Sequence, residues 1–262
     1  MTFAAPAPTA DRDRLPVMDI LRGFALLGIF LMNIEFFTRT LQSYSGGVAP
    51  AEGWDYAFGL AIYVAVQGKF WVLFALLFGM GFALMRDRAE KAGQPFFGLY
   101  LRRTLLLALF GALHIVFVWV GDILFAYALA ALALMAFAWL RGTAAWVVGG
   151  GIYLLMSGLW LLAGVGLAQP AVFLADLLVL ASLSLGAQFD LVNDFGRSTV
   201  AMGLMSLGNL PLALGYFAII VLLAAGPQRH PLGLLAPAGR MALTNYLLQS
   251  VVGPFVFSGS GL

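Results

Sequence analysis

Two residues that can exchange protons, His114 and Asp122, lie in the apolar stretch "LFGALHIVFVWVGDILFAYAL", residues 109–129. An imidazole titrates near neutral pH, so His114 could take a proton from a hydroxyl or an amine. On one continuous helix the two residues are about 12 Å apart, so they meet only if the chain folds back at Gly121. Asp122 could equally cap the N-terminus of the next helix. His114 could also be a hydrogen-bonded packing residue without a chemical role.

A second polar group lies in "MDILRGFALLGIFLMNIEFF", residues 18–37. On a helix, Asp19 and Arg22 are about 60° apart, and Asn33 is about 20° from Arg22 and about 16 Å further along. If this stripe faces a polar cavity, the Arg22 guanidinium could bind an anionic group. If it begins at the membrane surface, Asp19 and Arg22 neutralise each other.

The segment "GRMALTNYLLQS", residues 239–250, repeats this pattern near the C-terminus. Arg240 and Thr244 share one helix face, and Asn245 and Gln249 share the next. Polar side chains on a membrane helix usually form hydrogen bonds to other helices. The alternative is that they line a polar cavity.

The composition indicates which kind of secondary structure positions these side chains. Of the 262 residues, 62% are hydrophobic and 10% are charged, whereas soluble domains carry about 25% charged residues. Segments near 20 apolar residues recur along the chain. We therefore predict an all-α, polytopic transmembrane bundle of about seven or eight spans, formed by one domain over residues 17–262 after a disordered cytoplasmic segment, residues 1–16.

The predicted spans are Val17–Phe37, Phe70–Met85, Thr104–Val120, Ile123–Leu140, Ala144–Leu167, Ala171–Ala187, Thr199–Ala224 and Met241–Phe257. The stretch before Phe70 could form a separate interfacial or re-entrant helix, with Lys69 at the join extending toward water. Gly79 and Gly81 predict close packing against another helix.

Charge distribution predicts the orientation. Residues 86–103 carry five Lys or Arg and two acids, so the positive-inside rule places this segment and the N-terminus in the cytoplasm. Counting onward places Gly121 outside and Arg141 inside. An eight-span count leaves Arg229 outside, against the rule, unless one segment after Ala171 does not cross. The net charge of +2 gives no basis for binding nucleic acid.

Sequence motifs for bound cofactors are missing. The chain has two histidines and no cysteine, which argues against a histidine-rich or thiolate metal centre. No P-loop, dinucleotide fingerprint or nucleophile elbow occurs. We expect no metal and no permanently bound cofactor.

The strings "RGFA", "GDIL" and "MALTNY", in this order, carry a resemblance. Together with the Gly79 segment they resemble the YeiB-like family of bacterial inner-membrane proteins, whose C-terminal part is catalogued as a domain of unknown function. That family is similar to the transmembrane acyltransferases that include heparan-alpha-glucosaminide N-acetyltransferase. Those enzymes move an acyl group from cytoplasmic acyl-CoA to an acceptor, often a glycan, and use an intramembrane histidine.

The resemblance implies a membrane-bound acyltransferase in which His114 is the base or acyl carrier and Asp122 is its neighbour. Acyl-CoA would be the donor substrate, and a small molecule the acceptor. The expected partners are these substrates, membrane lipids and, in a homo-oligomer, a second copy. Candidate binding residues are Asp19, Arg22, Asn33, Arg102, Arg103, Arg240 and Asn245. The sequence leaves open a proton-coupled transporter and a non-catalytic membrane scaffold.

Overall fold

The computed structural model describes residues 15–38, 52–118, 121–167, 195–224 and 231–257. These ranges are helical and contain no strand. In chain order their helices are α1 (Pro16–Thr38), α2 (Gly53–Ala65), α3 (Lys69–Lys91), α4 (Phe96–Phe117), α5 (Leu124–Ala136), α6 (Gly142–Leu167), α7 (Phe195–Ala224), a 3₁₀ helix (Pro231–Leu235), α8 (Ala236–Arg240) and α9 (Ala242–Phe257).

Five segments of the described chain are long and apolar enough to cross a membrane, which confirms the predicted all-α membrane fold. They are Pro16–Ile34, Gly53–Lys91, Phe96–Phe117, Gly142–Ala163 and Gly203–Ala224. The apolar helices α5 and α9 are shorter. The predicted span Ala171–Ala187 and the predicted disordered segment up to residue 14 lie outside the described residues.

Helix α1 is at the centre of the core. Leu21, Ala25, Ile29 and Met32 recur at helical spacing and are at most 1% exposed, so they form one continuous apolar face. Helices α3, α7, α8 and α9 pack around α1. Burial of this face is the main term that fixes α1 within the bundle.

Helix α8 touches α1 through backbone atoms. A Cβ on Gly239 would lie 1.8 Å from the carbonyl oxygen of Asp19, and a Cβ on Gly23 would lie 2.1 Å from that of Leu235. Two helices approach this closely only where both lack side chains. The glycine in "RGFA" and the one in "GRMALTNY" therefore serve the same contact.

The chain breaks between α2 and α3 at Gly68, which has φ +81°. Backbone carbonyls freed by a break inside a membrane need new partners. The hydroxyl of Tyr216 donates to the carbonyl of Ala65 at 2.8 Å, and Lys69 Nζ donates to that of Tyr63 at 3.1 Å. Lys69 is 6% exposed, so it caps the end of α2 and does not extend toward water as the sequence analysis expected.

Polar contacts join α3, α5 and α6 at one end of the bundle. Arg86 Nη1 donates to the carbonyl of Ala138 at 2.8 Å and to that of Leu140 at 3.3 Å. Arg141 forms an ion pair with Glu90. The basic segment and Arg141 therefore lie at the same end, as counting the spans predicts.

Candidate active site

The predicted pair forms a direct contact. Nδ1 of His114 lies 3.0 Å from Oδ1 of Asp122, and the side chains are 2% and 0% exposed. Helix α4 ends at Phe117, and the chain folds back so that α5 runs alongside α4. The chain thus reverses near Gly121, which is the fold-back that contact between His114 and Asp122 requires.

The predicted span Thr104–Val120 places His114 near the middle of a helix, whereas the structure places it in the last turn of α4. The predicted span began at Thr104, but α4 begins at Phe96. Its first turns are held by aromatic contacts, because the ring of Phe82 lies 5.2 Å from that of Phe96 and 4.8 Å from that of Tyr100. His114 is still about 17 Å along the helix from Arg103.

Gly111 allows α5 to begin directly against α4. A Cβ on Gly111 would lie 2.4 Å from the backbone nitrogen of Phe125. That nitrogen donates to Oδ2 of Asp122 at 2.8 Å. The two interpretations of Asp122 are thus both realised, since one oxygen caps α5 and the other faces His114.

Tyr246 of α9 completes the cluster from the far end of the sequence. Its hydroxyl accepts a hydrogen bond from the backbone nitrogen of Ile123 at 3.2 Å, and its ring lies 5.7 Å from the His114 ring. Tyr246 is 3% exposed. The sequence analysis missed it by following the more polar Asn245. The available signal was that a buried tyrosine hydroxyl needs a partner.

The two nitrogens of His114 have different surroundings. Nδ1 faces the Asp122 carboxylate at contact distance, without the alignment of a regular hydrogen bond. Nε2 is buried and has no hydrogen-bond partner among the described residues. An unpaired buried polar atom costs about 1–3 kcal/mol. A ring with a carboxylate at one nitrogen and the other unengaged is suited to act as a general base.

A second polar cluster joins α1 to α4. Arg22 Nη1 lies 3.5 Å from Asp19 Oδ1, and Arg103 is within electrostatic range of Arg22. One positive charge therefore remains uncompensated among these three side chains. The Asp19 and Arg22 side chains are 14% and 35% exposed, so the cluster is open at one side.

No helix of the described residues packs closely against the glycines of α3 in the way the sequence predicts. A Cβ on Gly79 would meet no described atom within 4 Å, and one on Gly81 would meet only Nη2 of Arg22, at 3.5 Å. Gly81 thus leaves room for the guanidinium. Gly79 has no described contact that requires a glycine.

The remaining candidates are separate from both clusters. Asn33 is 3% exposed, and its Nδ2 lacks a partner in the described part of the chain. Arg102 lies on the outward face of α4, and Arg240 is exposed at the end of α8. Asn245 Nδ2 donates to the nearby carbonyl of Ala238 at 3.0 Å, which stabilises the junction of α8 and α9. Among the described residues, no group of three His, Cys, Asp or Glu could hold a metal.

Comparison with known proteins supports the motif resemblance. Residues 155–262 match the family described as "Protein of unknown function (DUF418)". The chain is 37% identical to the uncharacterized protein YxaH of Bacillus subtilis (strain 168) over 136 residues, which are 50% of this chain and 34% of YxaH. It is 37% identical to the uncharacterized protein YeiB of Escherichia coli (strain K12) over 125 residues, which are 46% of this chain and 30% of YeiB. The resemblance to the YeiB-like family is confirmed.

A longer alignment joins this chain to an uncharacterized 39.9 kDa protein in amylase 3'region of Bacillus acidopullulyticus. The two are 28% identical over 293 aligned positions, which cover 94% of this chain and 80% of that protein. The chain spans only about a third of the length of YxaH and of YeiB in their alignments. No solved structure matches it.

The buried site combines residues from inside and outside the DUF418 match. Tyr246 belongs to the matched residues 155–262, whereas His114 and Asp122 precede them in the sequence. The hydrogen bond between Ile123 and Tyr246 joins the two parts. The match alone would therefore not have located the buried histidine.

Proposed function

We propose that this YeiB-like chain is a membrane-embedded acyltransferase in which His114 is the general base. The observation that carries the proposal is the buried pair in which Nδ1 of His114 lies 3.0 Å from Asp122 while Nε2 has no partner among the described residues. Within a membrane, such groups are costly to bury and commonly mark a functional site. The resemblance to transmembrane acyltransferases indicates which chemistry the base would serve.

In the proposed step, the acceptor hydroxyl or amine gives its proton to Nε2 of His114 as it attacks the thioester carbonyl of acyl-CoA. The bond between the acceptor and the acyl carbon forms, and the bond between that carbon and sulfur breaks. The proton then passes from Nε2 to the departing CoA thiolate. Asp122 stabilises the charged imidazole between these two transfers.

The uncompensated charge near Arg22 would bind the donor. Guanidinium groups bind phosphate oxygens in pairs, and Arg22 and Arg103 lie within electrostatic range of each other. Arg103 is about 17 Å from His114 along α4, a separation that an extended pantetheine arm can bridge. The donor would enter at the end of the bundle that carries Arg86, which we propose to be cytoplasmic.

The proposal requires an opening movement. The His114 side chain is 2% exposed, so an acceptor reaches Nε2 only when α9 separates from the hairpin of α4 and α5. The Tyr246 hydroxyl holds that interface by accepting a hydrogen bond from Ile123 at 3.2 Å and by interacting with Asp122. The neutral hydrogen bond to Ile123 contributes only about 0.5–1.5 kcal/mol net, so breaking it costs little by itself.

Release of free CoA from acetyl-CoA tests the proposal, measured with purified protein in lipid nanodiscs with and without glucosamine as acceptor. We expect acceptor-dependent release by the wild type and a loss of about 10²–10⁴-fold in His114→Gln, the range typical of general bases. His230→Gln is the matched control, because it changes the other histidine of the chain. Equal release by wild type and His114→Gln would refute the assignment.

A structural role is the second candidate, and the near-complete burial of His114, Asp122 and Tyr246 favours it. In that case the three side chains only hold α4, α5 and α9 together. The same variants separate the candidates. A structural role predicts that His114→Gln lowers the thermal midpoint and that no CoA release above background occurs in any variant.

A further inference from the structure

The segment Gly53–Lys91 is too long to cross a membrane in one line. Its 39 residues would extend about 58 Å as a straight helix, nearly twice the hydrocarbon thickness of about 30 Å. Helix α3 has 23 residues, of which the apolar run from Phe70 to Met85 covers about 24 Å. The 13 residues of α2 would add about 20 Å to that line, more than the hydrocarbon can hold, so most of α2 lies outside that path, beyond the break at Gly68.

The N-terminal half of α2 exposes large aromatic side chains. Trp54 is 80% exposed, Phe58 is 66% exposed and Tyr56 is 44% exposed. The rings of Trp54 and Phe58 lie 6.4 Å apart and contact each other. Tryptophan and tyrosine are enriched where membrane headgroups meet the hydrocarbon, because their rings are apolar and their N–H or O–H groups are polar.

The other end of α2 is fixed to the bundle. The Tyr63 hydroxyl donates to the sulfur of Met205 at 3.4 Å, and the Tyr216 hydroxyl donates to the carbonyl of Ala65 at 2.8 Å. Both partners belong to α7. Helix α2 is thus held at the level where α3 begins, at the end of α3 opposite Arg86.

We propose that α2 lies in the lipid headgroup region of the leaflet opposite Arg86, with Trp54 and Phe58, which share one face of the helix, inserted toward the acyl chains. The occupant of this surface is the bilayer interface itself. Glu52 precedes the aromatic residues, Asp55 lies between Trp54 and Tyr56, and α2 carries no lysine or arginine. Because these residues are acidic and none is basic, α2 is compatible with a zwitterionic headgroup layer and would be repelled by a strongly anionic one.

Spin labels can measure the depth of α2, because the chain contains no cysteine and single-cysteine variants are therefore clean. We would label Trp54→Cys and Phe58→Cys in phosphatidylcholine liposomes and compare collisions with oxygen and with a water-soluble nickel chelate. Both labels should lie at one shallow depth, about 5–10 Å below the headgroups. Met80→Cys is the matched control; Met80 is 36% exposed on α3 and about 16 Å from Lys69, so its label should be the deepest.

Three results would overturn the proposal. A depth that differs by about 6 Å between the two α2 labels would indicate a helix standing along the membrane normal. Labels that collide only with the nickel chelate would place α2 in water. Labels protected from both reagents and broadened by spin–spin coupling would show that a second copy covers α2.

Discussion

The backbone nitrogen of Phe125 lies only 2.4 Å from the position that a Cβ on Gly111 would occupy. This contact fixes the start of α5 against the last turns of α4. Because that nitrogen also bonds to Asp122, the same contact sets the position of the carboxylate beside His114. The geometry of the buried pair thus depends on a glycine one turn away from the histidine.

Substituting Gly111 with alanine should therefore disturb both stability and the pair. The Cβ must displace backbone atoms of α5, and such overpacking costs about 1–3 kcal/mol. We expect a lower thermal midpoint for Gly111→Ala, measured by size-exclusion chromatography after heating. Gly79→Ala is the control, since no described atom lies within 4 Å of its Cβ. Equal midpoints for the two variants would contradict the close contact.

Two substitutions at Asp122 should separate its two roles. Asparagine can still accept the hydrogen bond from Phe125 and cap α5, whereas alanine cannot. We expect Asp122→Asn to keep most of the stability and to lose CoA release by about 10²–10⁴-fold, because the charged imidazole is no longer stabilised. Asp122→Ala should lose about 0.5–2 kcal/mol of stability as well. Full release by Asp122→Asn would show that the carboxylate charge has no part in the reaction.

The sequence predicted the helices and identified the fold-back at Gly121 on which contact between His114 and Asp122 depends, because both rest on local information. Apolar segments report helices that cross a membrane, and a glycine before an aspartate marks a place where a helix can end and another begin. The two residues that meet and the turn between them all lie within the 21 residues 109–129. Asp122 also caps the helix that follows it, a contact within three residues.

The position of His114 within α4 and the role of Tyr246 could not be predicted in this way. The start of α4 depends on packing of Phe96 and Tyr100 against Phe82, and hydropathy does not report such contacts. Tyr246 and Ile123 are 123 residues apart in the sequence. A single sequence without aligned relatives gives no pairing between such distant residues.

Removing one hydroxyl should test the link between α9 and the hairpin. Tyr246→Phe keeps the ring near His114 but leaves the Ile123 N–H without its acceptor, and a buried unpaired donor costs about 1–3 kcal/mol. We expect a lower thermal midpoint and faster hydrogen exchange in the turn before α5. Tyr56→Phe is the control, because Tyr56 is 44% exposed. Unchanged exchange in Tyr246→Phe would exclude this hydroxyl as the holding contact.

The backbone contact between α1 and α8 should be the least tolerant position of the described chain. A Cβ on Gly239 would lie 1.8 Å from the carbonyl oxygen of Asp19, so Gly239→Ala must separate the two helices. We expect little folded protein in detergent, measured as the monodisperse fraction in size-exclusion chromatography. Gly233→Ala, where a Cβ meets nothing described within 4 Å, should behave like the wild type. Asp19 also pairs with Arg22. Any Gly239→Ala protein that does fold should therefore have Arg22 displaced and should bind acetyl-CoA more weakly than the wild type. Wild-type affinity for acetyl-CoA in that folded material would show that the contact between the helices does not position the donor site.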